Sequence, residues 1–193
     1  SKDNQEFMWE PLAVRSLGSY STTQNLYKNK YGNKIIFEEI NHDLELIFRY
    51  QWSSSNTFGF IKKSKLINTS DSAIKVSLLD GIQNIMPASI GSDEQNQSSN
   101  LVDAYKRNEL EEATGLGIFA LSAILVDKAE ASEALKANIV WSKGLNNPKY
   151  LLSSLQLNNF RLGNTVQQEV DVKAEKGAYF LNSDIILEKE SAK

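Results

Sequence analysis

Two runs of alternating residues, set close together, constrain this chain more than anything else in it. Residues 34–40 (KIIFEEI) and 44–52 (LELIFRYQW) are rich in β-branched and aromatic side chains, and the Asn41-His42-Asp43 triplet between them is turn-forming. In the second run Leu44, Leu46, Phe48 and Tyr50 alternate with Glu45, Ile47, Arg49 and Gln51, giving an extended strand one apolar and one mostly polar face. The pattern is that of a β-hairpin.

Further strands follow on both sides of turn signals. The Ser53–Ser55 cluster is expected to end the second strand, residues 57–67 begin another, and Asn68–Ser72 turns the chain. Residues 73–79 alternate again. Asp80-Gly81 is then expected to break the strand and open a long irregular stretch over 82–100, with Pro87 and Gly91 in it. From Ser99 to Ala113, Leu101, Ala104 and Tyr105 fall at helical spacing, which predicts one short helix with Gly115 as its stop.

Residues 117–126 are apolar on both faces, as a central strand of stacked sheets would be, and 137–141 (ANIVW) fit its hairpin partner. Over 127–138 a helix competes with a hairpin turn. Residues 149–157 suit helix or strand, 165–173 and 178–188 fit closing strands, and the KESAK tail is expected to fray. Many strand candidates beside one clear helix predict a mainly β chain: an antiparallel two-sheet β-sandwich with one or two short helices. At 193 residues, 1–193 fits a single domain.

Charge excludes one class of partner. The 21 lysines and arginines are scattered among 24 acidic residues, so no basic stripe exists to neutralise a phosphate backbone, and nucleic acid is not expected. The chain has no cysteine, hence no disulfide, thiolate metal site or thiol nucleophile. Its longest apolar stretch, Gly117–Val126, is too short to predict a membrane span. The opening SKDNQEF carries neither an initiator methionine nor a signal peptide, which fits a processed chain whose targeting segment has been removed; a periplasmic or secreted setting is expected.

Candidate chemistry is sparse. The single histidine, His42, lies in the polar turn and fits a solvated residue, with no second histidine to complete a metal set. Neither a G-x-S-x-G elbow nor a phosphate loop occurs, and Gly115-x-Gly117 lacks the third glycine of a dinucleotide fingerprint. The acidic pairs Glu38-Glu39 and Glu111-Glu112 are expected on solvated faces, because adjacent strand residues point opposite ways and cannot flank one glycosidic bond. Asp80, with Gln83 and Asn84 in the stretch after it, offers polar groups that would cap loop backbone or touch a sugar.

Trp9, Trp52 and Trp141 have flat rings suited to stacking on a pyranose or to burial in a core. Trp52, which meets the polar SSSN cluster, is the foremost sugar-stacking candidate, and Trp141 is expected to be buried. The sequons at Asn68 and Asn96 match by chance as readily as by function. No catalytic residue, metal ligand or cofactor is assigned.

The segments RYQWSSSNTFGFIKKSKLINTS, IKVSLLDGIQNIMPA, LVDAYKRNELEEATGLGIFALSAIL and EALKANIVWSKG together give a pattern over roughly residues 34–145. It resembles the N-terminal β-sandwich domain of large bacterial glycoside hydrolase or phosphorylase-like proteins. The resemblance implies a supersandwich related to the galactose mutarotase fold, followed beyond Lys193 by a helical toroid holding the catalytic carboxylates. No catalytic residue carries over to this chain, and His42 lies in no context matching the mutarotase histidine. The function implied is that of a non-catalytic domain of a carbohydrate-active enzyme, with the helical catalytic domain as partner and an oligo- or polysaccharide as ligand. Rival expectations are an independent carbohydrate-binding module and a structural or assembly domain.

Overall fold

A computed structural model of the chain describes residues 6–123 and 135–193. The chain is mainly β, with several antiparallel sheets and, among the described residues, three short α-helices. Its contacts divide it into two compact units, one running to Val76 and including Ile185–Lys193, the other Ser77–Asp184.

The first unit is a four-stranded antiparallel meander in chain order: β1 (Thr22–Lys28), β2 (Lys34–Asn41), β3 (Leu46–Ser55) and β4 (Gly59–Asn68). The expected hairpin is β2–β3. Its turn is held by Asn41, whose Oδ1 accepts the N–H of Asp43 at 3.1 Å and of Leu44 at 2.9 Å, the local bonding that makes asparagine a turn residue. The serine cluster does not end the strand. Ser53, Ser54 and Ser55 face Ile61, Phe60 and Gly59 across the ladder, so pairing with β4 overrides their weak strand preference. The turn comes at residues 56–58, where Ser55 Oγ accepts the N–H of Thr57 and of Phe58.

Nor does the tail fray. Lys193 exchanges both main-chain hydrogen bonds with Leu66 (2.8 and 2.9 Å), Asn68 N–H donates to Ser191 O at 2.8 Å, and Ala192 bridges Ile67. The tail is thus tied to the outer edge of β4.

β5 (Ile74–Ile85) carries the chain into the second unit. There follow α1 (Ser92–Gln97), α2 (Ser99–Tyr105), β6 (Lys106–Glu111), β7 (Leu116–Leu121), β8 (Asn138–Val140), β9 (Lys149–Leu151), α3 (Leu157–Arg161), β10 (Asp171–Lys173) and β11 (Gly177–Leu187). They form two sheets, ordered β10-β6-β7-β8 and β5-β11-β9. Leu110, Phe119, Val140 and Val172 of the first pack against Ile82, Ile85, Tyr150, Tyr179 and Leu181 of the second and against Leu152 just after β9, a two-sheet sandwich core. The other face of β5-β11-β9 is covered by Leu157 and Phe160 of α3 together with Val166. Each fully buried side chain of this kind stabilises the fold by roughly 1.5–3 kcal/mol.

Three expectations change here. Asp80-Gly81 does not break β5: Gly81 lies inside the strand because β11 passes so close that a Cβ would sit 2.0 Å from Tyr179 O and 2.6 Å from Phe180 Cα. The helix starting at Ser99 stops at Tyr105, and Lys106–Glu111 becomes a strand with alternate residues Lys106, Asn108 and Leu110 buried. Gly115 is therefore no helix stop but the left-handed residue (φ 73°) of the β6–β7 hairpin. Of residues 165–173, only Asp171–Lys173 pair as a strand. The hairpin partner expected for the central strand is present, with Gly117, Ile118 and Phe119 opposite Val140, Ile139 and Asn138. Most of the 127–138 choice between helix and turn falls on residues 124–134, outside the described residues. Among the described residues no helix is long and apolar enough to cross a membrane.

Candidate functional site

Register sorts the side chains of the first unit onto two faces of one sheet. Across β1 to β4 the ranks Leu26–Phe37–Tyr50–Ser64 and Lys28–Ile35–Trp52–Lys62 share a face, and Phe60, opposite Ser54, lies on that face diagonal to Trp52. Phe37 and Tyr50 stack with centroids 4.9 Å apart and planes 18° from parallel, and Phe48 adds a tilted contact to Tyr50 at 6.1 Å. Lys62 Nζ stands 5.4 Å from the Tyr50 ring centre, within reach of its π face. Phe37, Tyr50 and Trp52 are half-buried, while Leu26 and Phe60 are 65% and 87% exposed. The result is a row of rings and apolar groups edged by Lys28, Lys62, Ser54 and Ser64. Such a surface offers flat rings for stacking and nearby polar atoms for hydroxyl groups.

The N-terminal segment closes the far end of this face. Glu39, only 3% exposed, accepts Trp9 Nε1–H at 2.7 Å, Leu12 N–H at 2.8 Å and Gln24 Nε2–H at 2.8 Å. On the opposite face Glu38, 1% exposed, accepts Asn25 Nδ2–H and Tyr27 O–H, both at 2.9 Å, and is paired with Arg49 Nε–H. Burial alone pushes the Glu38 carboxyl up, but the three donors outweigh it and hold its pKa below the ordinary value. Hydrogen bonding to Glu38 in turn pushes the Tyr27 phenol up.

The expectation that Glu38-Glu39 is a solvated pair is therefore corrected. Both are interior anchors, on opposite faces as strand alternation requires, with their oxygens occupied by donors; that arrangement cannot place two carboxyl groups on one bond. Glu111 and Glu112 are exposed: Glu111 accepts the N–H of Ala113 and Thr114 in its hairpin turn, and Glu112 accepts Gln168 Nε2–H at 2.9 Å.

Of the residues singled out by sequence, Trp52 lies mid-sheet in the first unit, between Ile35 and Lys62. Asp80, Gln83 and Asn84 are all on β5 within the second unit instead of in a loop. Asp80 and Gln83, three apart, take opposite faces of that strand, and Asn84 is turned out of the regular alternation by its left-handed φ of 58°. His42 is exposed in its turn, Nε2 2.9 Å from Thr23 Oγ1. Trp9 is half-buried over Glu39, whereas Trp141 is 53% exposed, contrary to expectation, because β8 pairs at the margin of its sheet.

Asn68 is 0% exposed, with Nδ2 directed at the carbonyls of Ser72, Leu187 and Glu188, so its sequon is closed to modification in the folded chain. Among the described residues no group of three or more His, Cys, Asp or Glu side chains gathers to hold a metal ion. Sequence reasoning missed Phe37, Tyr50 and Lys62 as neighbours of Trp52. The alternation through Phe48, Tyr50 and Trp52 is a signal for Tyr50, whereas Phe37 and Lys62 join the row through the register of β3 with β2 and β4.

No protein-family model matches this chain, and no curated protein matches it.

Proposed function

We propose that the chain is a non-catalytic β module of a carbohydrate-active enzyme and that the Phe37–Tyr50–Trp52 face of its four-stranded sheet contacts glycan. The observation that carries this reading is the continuity of the row: stacked Phe37 and Tyr50, half-buried Trp52 and exposed Phe60, bordered by lysine and serine side chains. Exposed rings on one face of a sheet suit the C–H face of a pyranose, and bordering hydroxyl and ammonium groups suit its oxygens. The resemblance to N-terminal domains of large glycoside hydrolase or phosphorylase-like proteins supports the wider assignment, in which a helical catalytic domain is the partner and this module shapes the glycan path.

The same face supports a second reading, an independent carbohydrate-binding module. A glycan array probed with the isolated chain separates the two: retention of a defined oligosaccharide favours the independent module. Binding seen only when the chain is joined to a helical catalytic domain favours the accessory domain. Turnover of glycosides by the isolated chain at enzyme-like rates contradicts both.

A further inference from the structure

The first unit's sheet is charged unlike the chain it belongs to. The chain carries a net charge of −3, yet strands β1 to β4 hold only two acids, Glu38 and Glu39, which are 1% and 3% exposed and have donors on their oxygens. Because the strands form an antiparallel meander, the β1–β2 turn (residues 29–33) and the β3–β4 turn (56–58) fall at one end of the sheet, and neither contains an acid. The acids of the β2–β3 turn, Asp43 and Glu45, fall at the other end. The exposed charges of the sheet at its first end are therefore all positive: the fold gathers lysines that look scattered along the sequence.

Asn29 fixes the β1–β2 turn. Its Nδ2–H donates to Asn33 Oδ1 at 2.6 Å, its Oδ1 accepts Lys34 N–H at 3.1 Å, and its C=O accepts Gly32 N–H at 3.1 Å. The turn so held presents Lys28, Lys30 and Lys34, all exposed, and the Tyr31 ring at 85% exposure. Lys28 belongs to the aromatic face, in the rank Lys28–Ile35–Trp52, and its side chain lies over the turn, where a Cβ added at Gly32 would meet Lys28 Cε at 3.4 Å. Two strand spacings, roughly 10 Å, separate the main chain of Lys28 from that of Trp52, within the reach of a short oligosaccharide.

Resting on the reading that this face contacts glycan, we propose that the glycan is acidic, carrying uronate carboxylates or sulfate esters. One sugar stacks on Trp52 beside Tyr50, and the saccharide crosses Ile35 toward the β1–β2 turn, where the Lys28 and Lys30 ammonium groups meet its anionic groups and Tyr31 offers a further ring. Lys34 adds to the positive field at the same end. A neutral glycan gains the stacking but nothing from the lysines, and an acidic polypeptide gains the charge but lacks pyranose faces for the rings. Rings and lysines together select a saccharide that carries both.

The test titrates the whole chain by calorimetry with oligosaccharides of homogalacturonan, alginate and chondroitin sulfate, with neutral galactan, xylan and β-glucan oligosaccharides, and with poly-glutamate. The proposal expects at least one acidic oligosaccharide to bind at least roughly tenfold more tightly than every neutral one and than poly-glutamate, and to weaken as salt rises. Lys28→Gln with Lys30→Gln should weaken it by roughly tenfold at an unchanged unfolding midpoint. Lys136→Gln with Lys143→Gln, the same change of charge at exposed positions of the second unit, should leave it as it is. Binding led by a neutral glycan would overturn the proposal and leave the glycan contact standing. Acidic binding that is indifferent to Lys28 and Lys30, or that poly-glutamate matches, would overturn it as well. If no oligosaccharide binds, the glycan contact itself falls, and this proposal with it.

Discussion

Glu38 and Glu39 are neighbours in sequence and stand back to back through one sheet, each buried and each bound by three donor residues. Glu39→Ala leaves the Trp9 indole and the Leu12 N–H without their acceptor, and should cost about 2–4 kcal/mol in urea unfolding while releasing the N-terminal segment to proteolysis.

Glu38 makes the first unit sensitive to acid. Its folded pKa is depressed below the ordinary 4.5, so the stability it contributes is present above that value and is lost as pH falls through the folded pKa. Stability measured from pH 7 downward should therefore fall less steeply below about pH 5 in Glu38→Gln than in the parent chain. Identical slopes would contradict the assignment.

The second unit contains the reverse case. Tyr179 donates to Gly115 O at 2.6 Å, and burial, its largest cause, pushes the phenol up to about 12. A raised folded pKa contributes stability that is complete below the ordinary 10.0 and lost as pH rises through about 12. Tyr179→Phe should be less stable at pH 7 by about 1–3 kcal/mol, having left Gly115 O unpaired, and should lose the alkaline decline between those values.

Gly81→Ala should be among the most damaging single changes, costing more than about 3 kcal/mol, because the added Cβ meets main-chain atoms of β11 that cannot swing aside. Gly91→Ala, where the added Cβ has nothing within 4 Å, is the control and should change the urea midpoint little.

Much of the architecture was legible because its signals are local. Alternation from Leu46 to Tyr50 and asparagine at the turn specify the β2–β3 hairpin, and the apolar run from Gly117 specifies β7. What was hidden depends on distant partners. Ser53–Ser55 looks like a break until Gly59–Ile61 arrives beside it, Asp80-Gly81 looks like a turn until β11 passes over it, and KESAK looks loose until β4 offers Leu66. β1, with the sequence TTQNLYK and mostly exposed, carries no apolar period to betray an edge strand. The site shows the same division: Trp52 could be singled out by its ring and its polar neighbours, but the lateral row joining it to Phe37 and Tyr50 is a product of register, and the placing of Asp80, Gln83 and Asn84 on a strand depends on the partner of β5.

Calorimetric titration of the chain and of its Trp52→Ala variant with a panel of soluble oligosaccharides tests the proposed glycan contact most directly. The proposed function predicts that at least one oligosaccharide binds with a Kd in the roughly micromolar to millimolar range, and that Trp52→Ala weakens it at least about tenfold without moving the unfolding midpoint by more than a few degrees. Absence of binding across the panel, or binding by Trp52→Ala as tight as that of the parent chain, would contradict it.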